Sequence, residues 1–207
     1  MLRIGGVNLF DILWHYERVQ NHEAEISSAG SAAMADYNDP NELLAIVNEH
    51  DEECGSASRR LIHELGLFHR AVHVLVFLPG GELVIQRRSK NKDTYPLHWE
   101  CVGGHVAVGE NYEVAALREV EEELGVSARD LKFVVKLNAS PTTGQEFICV
   151  YRAQVSPPLR PNSDEIAEWR SVRPQELCEM IALGAERFSP VFLETLKATG
   201  FFSQRPQ

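Results

Sequence analysis

The sequence predicts a mixed α/β domain, a central sheet with helices on both sides. Short valine-, isoleucine- and leucine-rich runs bounded by turn residues mark strands, among them Ala71 to Leu78 and Leu83 to Arg88 around Pro79-Gly80-Gly81. Segments of helical periodicity separate the later runs. Those segments carry end signals: Asn111 before one and Gly125 after it, Pro174 and Pro190 at the start of two others.

Taken in order, residues 1–40 read as an N-terminal extension and residues 41–207 as the main domain with its C-terminal helices. In the extension, Leu9, Ile12, Leu13, Tyr16 and Val19 recur at helical spacing. Asp11, His15, Glu17 and Arg18 interrupt that stretch, which is therefore not a secretory apolar segment. Ser27 to Ala33 suits a linker, and Met34 offers an alternative start that would leave residues 1–33 outside the native protein. The rival is a helix that docks on the domain or on a second subunit.

In the domain, Leu43 to Val47 is a strand, and Ala71 to Leu78 and Leu83 to Arg88 form a hairpin. Trp99 to Val102 leads into a loop and a helix between Asn111 and Gly125. Leu131 to Leu137, Glu146 to Gln154 and Ile166 to Val172 supply further strands, and Pro174 to Leu183 and Pro190 to Thr199 are helices.

With 207 residues, 44% of them hydrophobic, the chain can bury one good core. Its net charge of −10 argues against a nucleic-acid polymer as partner, which needs a basic footprint, but not against a small nucleotide. Cys54, Cys101, Cys149 and Cys178 form no Cys-X-X-Cys motif, and reduced thiols in a cytoplasmic setting are expected. No apolar run is long enough for a membrane span, and no internal repeat is present.

The chemistry concentrates between Gly104 and Val126. Glu119, Glu122 and Glu123 have i, i+3 and i+4 spacing on a helix and so share a face. Three carboxylates held together repel unless a cation joins them, and oxygen ligands suit Mg²⁺ or Mn²⁺. Ala116, Leu117, Val120 and Leu124 form the stripe expected to meet the core. Ala115 is expected to leave room between the glutamates, and Glu121 to point into solvent. Arg87, Arg88, Lys90 and Lys92 are the one dense basic cluster, a strip fit for a diphosphate.

Gly104, Glu110, Arg118, Glu119, Val120, Glu122, Glu123, Gly125 and Val126 together match the Nudix box, and the chain resembles the Nudix hydrolase superfamily. The resemblance implies an α/β/α sandwich with a mixed central sheet, and an enzyme that hydrolyses a diphosphate bond in a small nucleoside diphosphate-type substrate. It implies that Glu119, Glu122, Glu123 and the Gly104 carbonyl hold the metal. Arg118 would orient the glutamates, and Glu110 would bind metal or fix the loop. The metal would polarise phosphoryl oxygens and activate a water, and Glu119 or a residue outside the box would take the proton. Dimers are frequent in this family, so a homodimer belongs to the expectation.

His69-Arg70-Ala71-Val72-His73, Gln86-Arg87-Arg88-Ser89, Lys92, Pro96, Trp99 and Gly104-His105 further resemble the branch related to isopentenyl diphosphate isomerase. In that branch the positions of Arg88 and Lys92 grip the diphosphate. The isomerase places a cysteine directly before its Gly-His pair; this chain has Gly103 there, with Cys101 displaced by about 6–7 Å along a strand. Glu146 matches the later isomerase glutamate, and His63, His69 and His105 resemble its metal-binding histidines, while a second glutamate ligand falls near Gly144 and is absent. The preferred expectation for these three histidines is that each bonds a loop carbonyl; a second metal site is the alternative. A hydrolase is expected first, an isomerase-like enzyme second and a non-catalytic nucleotide-sensing module third. Tyr95, Trp99, Phe147 and Trp169 are candidates to stack on a base or shape the pocket, and Asp164-Glu165 to supply a further ligand or base.

Overall fold

The computed structural model describes residues 39–203 and, upstream, a ladder of two short antiparallel strands, β1 (Arg3–Ile4) and β2 (Val7–Asn8). The amphipathic helix read at residues 9–19, the linker at 27–33 and Met34 lie outside the described residues.

The domain begins with an antiparallel hairpin, β3 (Leu43–Val47) and β4 (Glu53–Ser58), followed by helix α1 (Arg59–Leu65). Ser58 caps α1 through a bond from Leu61 N, and Gly66 ends it with φ of 60°. A seven-stranded sheet follows, built from β5 (His69–Phe77), β6 (Leu83–Arg88), β7 (Trp99–Glu100), β8 (Val102–His105), β9 (Arg129–Leu137), β10 (Glu146–Gln154) and β11 (Ile166–Val172). The order is β11-β6-β5-β10-β9, with β7 on β6 and β8 on β5. Only β5 and β10 run parallel, so the sheet is mixed. Helix α2 (Tyr112–Leu124) joins β8 to β9, and α3 (Pro174–Leu183) and α4 (Pro190–Ala198) close the domain.

Alternation along β5 divides the core into two layers. Leu75 and Phe77 pack with Leu83, Ile85, Trp99 and Ile148 against Leu177, Phe192 and Leu196 of α3 and α4. Val72, Val74 and Val76 pack with Val84 against Ala116, Val120 and Leu124 of α2.

Two sequence expectations for α2 need correction. Leu117 is 39% exposed, and Ala115 is wholly buried in the core rather than opening space among the glutamates. The buried surface of the helix includes the i, i+4 row Ala115, Glu119 and Glu123. Two of the three glutamates therefore face inward, and Leu117 is turned outward.

The β5–β6 hairpin is also narrower than its sequence implies. The strands pair only at Phe77 and Leu83, around the turn closed by Gly81 N to Leu78 O. Beyond that point β6 takes β7 as partner and β5 takes β8. Residues 99–105 thus cross from one strand to the other, and this crossing supplies the floor of the site.

Candidate active site

A cavity of about 780 Å³ opens where β5, β8 and α2 meet α1 and the loops after β6 and β9. Its first wall is the carboxylate-bearing helix. Asn111 Oδ1 accepts from Val114 N at 2.9 Å to start α2. Arg118 then ties the wall together. Its Nε and Nη2 donate to the two oxygens of Glu110, each at 2.9 Å. Its Nη1 donates to Glu119 at 2.7 Å and Glu122 at 2.9 Å, and Nη2 also reaches the His105 carbonyl at 2.9 Å. The bidentate partner of Arg118 is therefore Glu110, while Glu119 and Glu122 share a single nitrogen.

Glu123 turns toward the sheet, where it accepts from Gln86 Nε2 at 2.8 Å and Gly103 N at 3.1 Å. Gly104 lies against Glu119: a β-carbon there would land on the Glu119 carboxylate. Burial pushes Glu119 up to about 7 against the pull of Arg118, with repulsion from Glu122 and Glu165 adding to it. Burial also pushes Glu123 well up, helped by Glu119, Glu165 and Glu100. Burial opposes ionisation of Glu110 too, but the bonds from Arg118 and Ala107 N outweigh it and hold that carboxyl below its ordinary range.

The second wall is a cluster of imidazoles that sequence reading ranked below simple carbonyl bonding. Among the described residues, one group of His, Cys, Asp or Glu has its ligand atoms all within 4.8 Å of one another: His63, His69, His105 and Glu146. The three glutamates of α2 do not form such a group. Arg118 already stands between Glu119 and Glu122, and Glu123 is satisfied elsewhere.

His69 and Glu146 are cross-strand partners of β5 and β10. Glu146 Oε1 lies 3.4 Å from His69 Nε2 and 3.4 Å from His105 Nε2, and His63 Nε2 lies 3.3 Å from His105 Nε2. Only His69 bonds a loop carbonyl, Leu67 O at 2.9 Å. That bond places the His69 proton on Nδ1 and leaves its buried Nε2 without a hydrogen-bond partner. Burial, then the neighbouring imidazoles His105 and His69, push His63 down to about 4. Burial lowers His105 as well. Burial opposes ionisation of Glu146, yet His105 and His69 hold it well below the carboxylate range. Imidazole nitrogens gathered around a carboxylate are a donor set for a cation once their protons are displaced.

The third wall is cationic. Arg88 Nη1 donates to Glu100 at 2.7 Å, and its Nε and Nη2 hold Thr94 at 2.8 and 3.1 Å. Lys92 Nζ pairs with Glu165 at 2.8 Å. Arg59, at the start of α1, also lines the cavity and pairs with Asp93 at 3.0 Å. Sequence reading missed it; the signal was its position one turn before His63 on the same helix.

Arg87 does not line the cavity. It follows Gln86 and precedes Arg88 on β6, so it faces the other side of the sheet, where it bonds Leu97 O at 3.0 Å. Lys90 is likewise absent from the lining. Glu165 is buried and lines the cavity, while Asp164 is exposed. Of the four aromatic candidates only Tyr95 reaches the cavity; Trp99 and Phe147 are core, and Trp169 sits on edge strand β11.

Known proteins resemble this chain in sequence and fold. The family model described as the NUDIX domain matches residues 67–193. The chain is 36% identical over 158 residues to an uncharacterized Nudix hydrolase of Pseudomonas aeruginosa, spanning 76% of this chain and 90% of that protein. It is 32% identical over 161 residues to an isopentenyl-diphosphate Delta-isomerase of Leifsonia xyli subsp. xyli, spanning 73% and 87%. A crystal structure from Deinococcus radiodurans superposes with a TM-score of 0.64 at 28% identity, covering 76% of this chain and 99% of that one. No helix among the described residues is long and apolar enough to cross a membrane.

Proposed function

The chain belongs to the NUDIX domain family, enzymes acting on pyrophosphate bonds, and on that premise we propose a metal-dependent pyrophosphohydrolase of nucleoside diphosphate-type substrates. The observation that carries this reading is Arg118, which gathers Glu110, Glu119 and Glu122 at the cavity wall.

Glu119, Glu122, Glu123 and the Gly104 carbonyl would hold Mg²⁺ or Mn²⁺. The residues fit such an ion: burial raises both Glu119 and Glu123, neighbouring carboxylates raise them further, which a cation relieves, and Gly104 carries no side chain where Glu119 lies. When bound, the ion supplies polarisation of a phosphoryl oxygen and a lowered pKa for a water. His63, His69, His105 and Glu146 also fit a cation, on the evidence of the orphaned His69 Nε2. Their nitrogen-rich set favours Zn²⁺ or Mn²⁺ over Mg²⁺.

The chain's own groups do the rest. Arg59, Arg88 and Lys92 line the same cavity as the carboxylates and would grip the diphosphate, exchanging Asp93, Glu100 and Glu165 for phosphate oxygens. Glu110 keeps the Arg118 fork in place and so sets the direction of Glu119 and Glu122. Glu119, or a residue outside the box, would take up the proton released from water. The partner is a small diphosphate, not a polymer, and the free thiols among the described residues suit a reducing, cytoplasmic compartment.

The imidazole cluster favours a second reading, isomerisation of a prenyl diphosphate. Position 103 argues against it. A β-carbon on Gly103 would lie 2.6 Å from Val72 O and 2.8 Å from His73 Cδ2, so no side chain fits where the isomerase has its cysteine.

The test is a panel of nucleotide sugars, dinucleotides, nucleoside triphosphates and isopentenyl diphosphate with Mg²⁺ and with Mn²⁺. Cleavage of a P–O–P bond is expected. Conversion of isopentenyl to dimethylallyl diphosphate at enzymatic rates would overturn the reading.

A further inference from the structure

His73 is a titratable side chain of the cavity with no task in the hydrolysis described above. It follows His69 and Ala71 on β5 at two-residue steps, so all three side chains share a face of the sheet. Its Nδ1 lies 2.7 Å from Thr195 Oγ1 of α4, and both residues are buried. That hydroxyl has no other hydrogen-bond partner among the described residues. A buried hydroxyl proton left unbonded is costly, so Thr195 donates to Nδ1 and the imidazole proton sits on Nε2.

Nε2 itself has no protein partner among the described residues, although the residue lines the cavity. The glycine opposite makes this ring position feasible. His73 and Gly103 are cross-strand neighbours of β5 and β8, and a β-carbon at 103 would lie 2.8 Å from His73 Cδ2 and 3.5 Å from Nε2. The ring edge carrying the Nε2 proton therefore occupies the floor beside Gly103.

We propose that His73 is a specificity-determining residue whose Nε2–H donates a hydrogen bond to an oxygen of the organic group attached to the diphosphate. The cavity would thereby select hydroxylated groups, such as sugars and nucleosides, over hydrocarbon ones. This rests on the diphosphate-cleaving reading given above. A donor held ready on a buried imidazole is left unbonded by a hydrocarbon chain, and that loss discriminates. Thr195 acts through His73, as the residue that fixes the tautomer.

The test uses the full chain with Mg²⁺, UDP-glucose and geranyl diphosphate as matched probes, and the variants His73→Asn, His73→Gln and Thr195→Val. Asparagine can keep the Thr195 bond but offers no donor at the Nε2 position; glutamine reaches that position. His73→Asn is expected to lower kcat/KM for UDP-glucose by about 3- to 10-fold, the worth of one neutral hydrogen bond, with geranyl diphosphate unaffected. His73→Gln should recover most of the loss, and Thr195→Val should show a smaller loss in the same direction. Thermal melts establish that each variant is folded. Equal losses on both probes, or none on UDP-glucose, would overturn the assignment while leaving hydrolysis intact. No cleavage of UDP-glucose by the wild-type protein would overturn this assignment, while the hydrolase reading falls only if no member of the wider panel is cleaved.

Discussion

Arg118 and Glu110 meet through two parallel hydrogen bonds of 2.9 Å, Nε to Oε1 and Nη2 to Oε2. The remaining nitrogen, Nη1, is thereby aimed at Glu119 and Glu122. Glu110 lies in the loop before α2 and Arg118 in the middle of it, so the fork locks the loop to the helix face. A lysine would keep the charge and lose the fork. Arg118→Lys should lower kcat/KM on any cleaved diphosphate by about 10- to 100-fold, the usual cost of removing a group that orients metal ligands. Steady-state kinetics with a melt of the same protein would check it, and unchanged kinetics would contradict the role.

Gly104→Ala tests the contact between that glycine and Glu119. The added methyl would occupy the place of the carboxylate, which must swing away or displace the loop. Overpacking of this kind costs about 1–3 kcal/mol. A lower melting temperature and loss of Mg²⁺-dependent turnover are expected together. An alanine variant with wild-type turnover would show that Glu119 need not sit against this backbone.

The imidazole cluster predicts cation binding that needs no substrate. Zn²⁺ or Mn²⁺ should raise the melting temperature by mass action, by about 2.7 kcal/mol of stability at a concentration one hundred times Kd. His63→Ala removes one of the four ligands and should abolish most of that rise. An equal rise in His63→Ala would place the ion elsewhere.

His73 gives a pH signature of stability. Burial pushes it down to about 4 from an ordinary 6.5, with Arg88 lowering it further and Glu146 opposing. Between those pH values the unfolded chain binds a proton that the folded one refuses, so stability rises with pH there. The contribution is whole above about 6.5 and lost as pH falls toward 4. Glu119, pushed up to about 7, works in the opposite direction: the folded state holds its proton, and that contribution is lost as pH rises from about 4.5 to 7. Comparing wild type with His73→Gln in chelator cancels the contribution of the glutamates. The variant's melting temperature should fall less steeply from pH 6.5 to 4; parallel curves would contradict a buried neutral His73.

Gly103→Cys restores the isomerase residue at its position in the chain. Its β-carbon would meet Val72 O and His73, so the variant should be destabilised and should not isomerise isopentenyl diphosphate. Product analysis by chromatography would decide, and isomerisation by the folded variant would show that the floor yields.

The sequence made β6, β10, β11 and α3 legible to their end residues, because branched apolar runs or a proline start bound each one. The box was equally legible, since its residues lie close along the chain, with Arg118, Glu119, Val120, Glu122 and Glu123 on one helix. The β4–α1 segment was not. Glu-Cys-Gly-Ser-Ala-Ser has no branched apolar residue to signal a strand, and α1 is only two turns long. Arg59 was missed with it. The meeting of His63, His69, His105 and Glu146 depends on the parallel register of β5 with β10, a long-range pairing that local pattern does not fix. The resemblance singled out Arg88 over Arg87, and strand alternation gives the physical reason, turning Arg87 away from the cavity. On α2, rotating the buried face by one residue buried Ala115 and exposed Leu117.

Glu122→Gln asks whether the carboxylates of α2 serve divalent-metal cleavage of a P–O–P bond. Its side chain is 37% exposed, so the fold should tolerate the change. With a nucleotide sugar the wild-type protein cleaves, at saturating Mg²⁺, turnover should drop by about 30- to 1,000-fold, equivalent to about 2–4 kcal/mol of lost transition-state stabilisation. Turnover close to wild type in that variant would contradict the account.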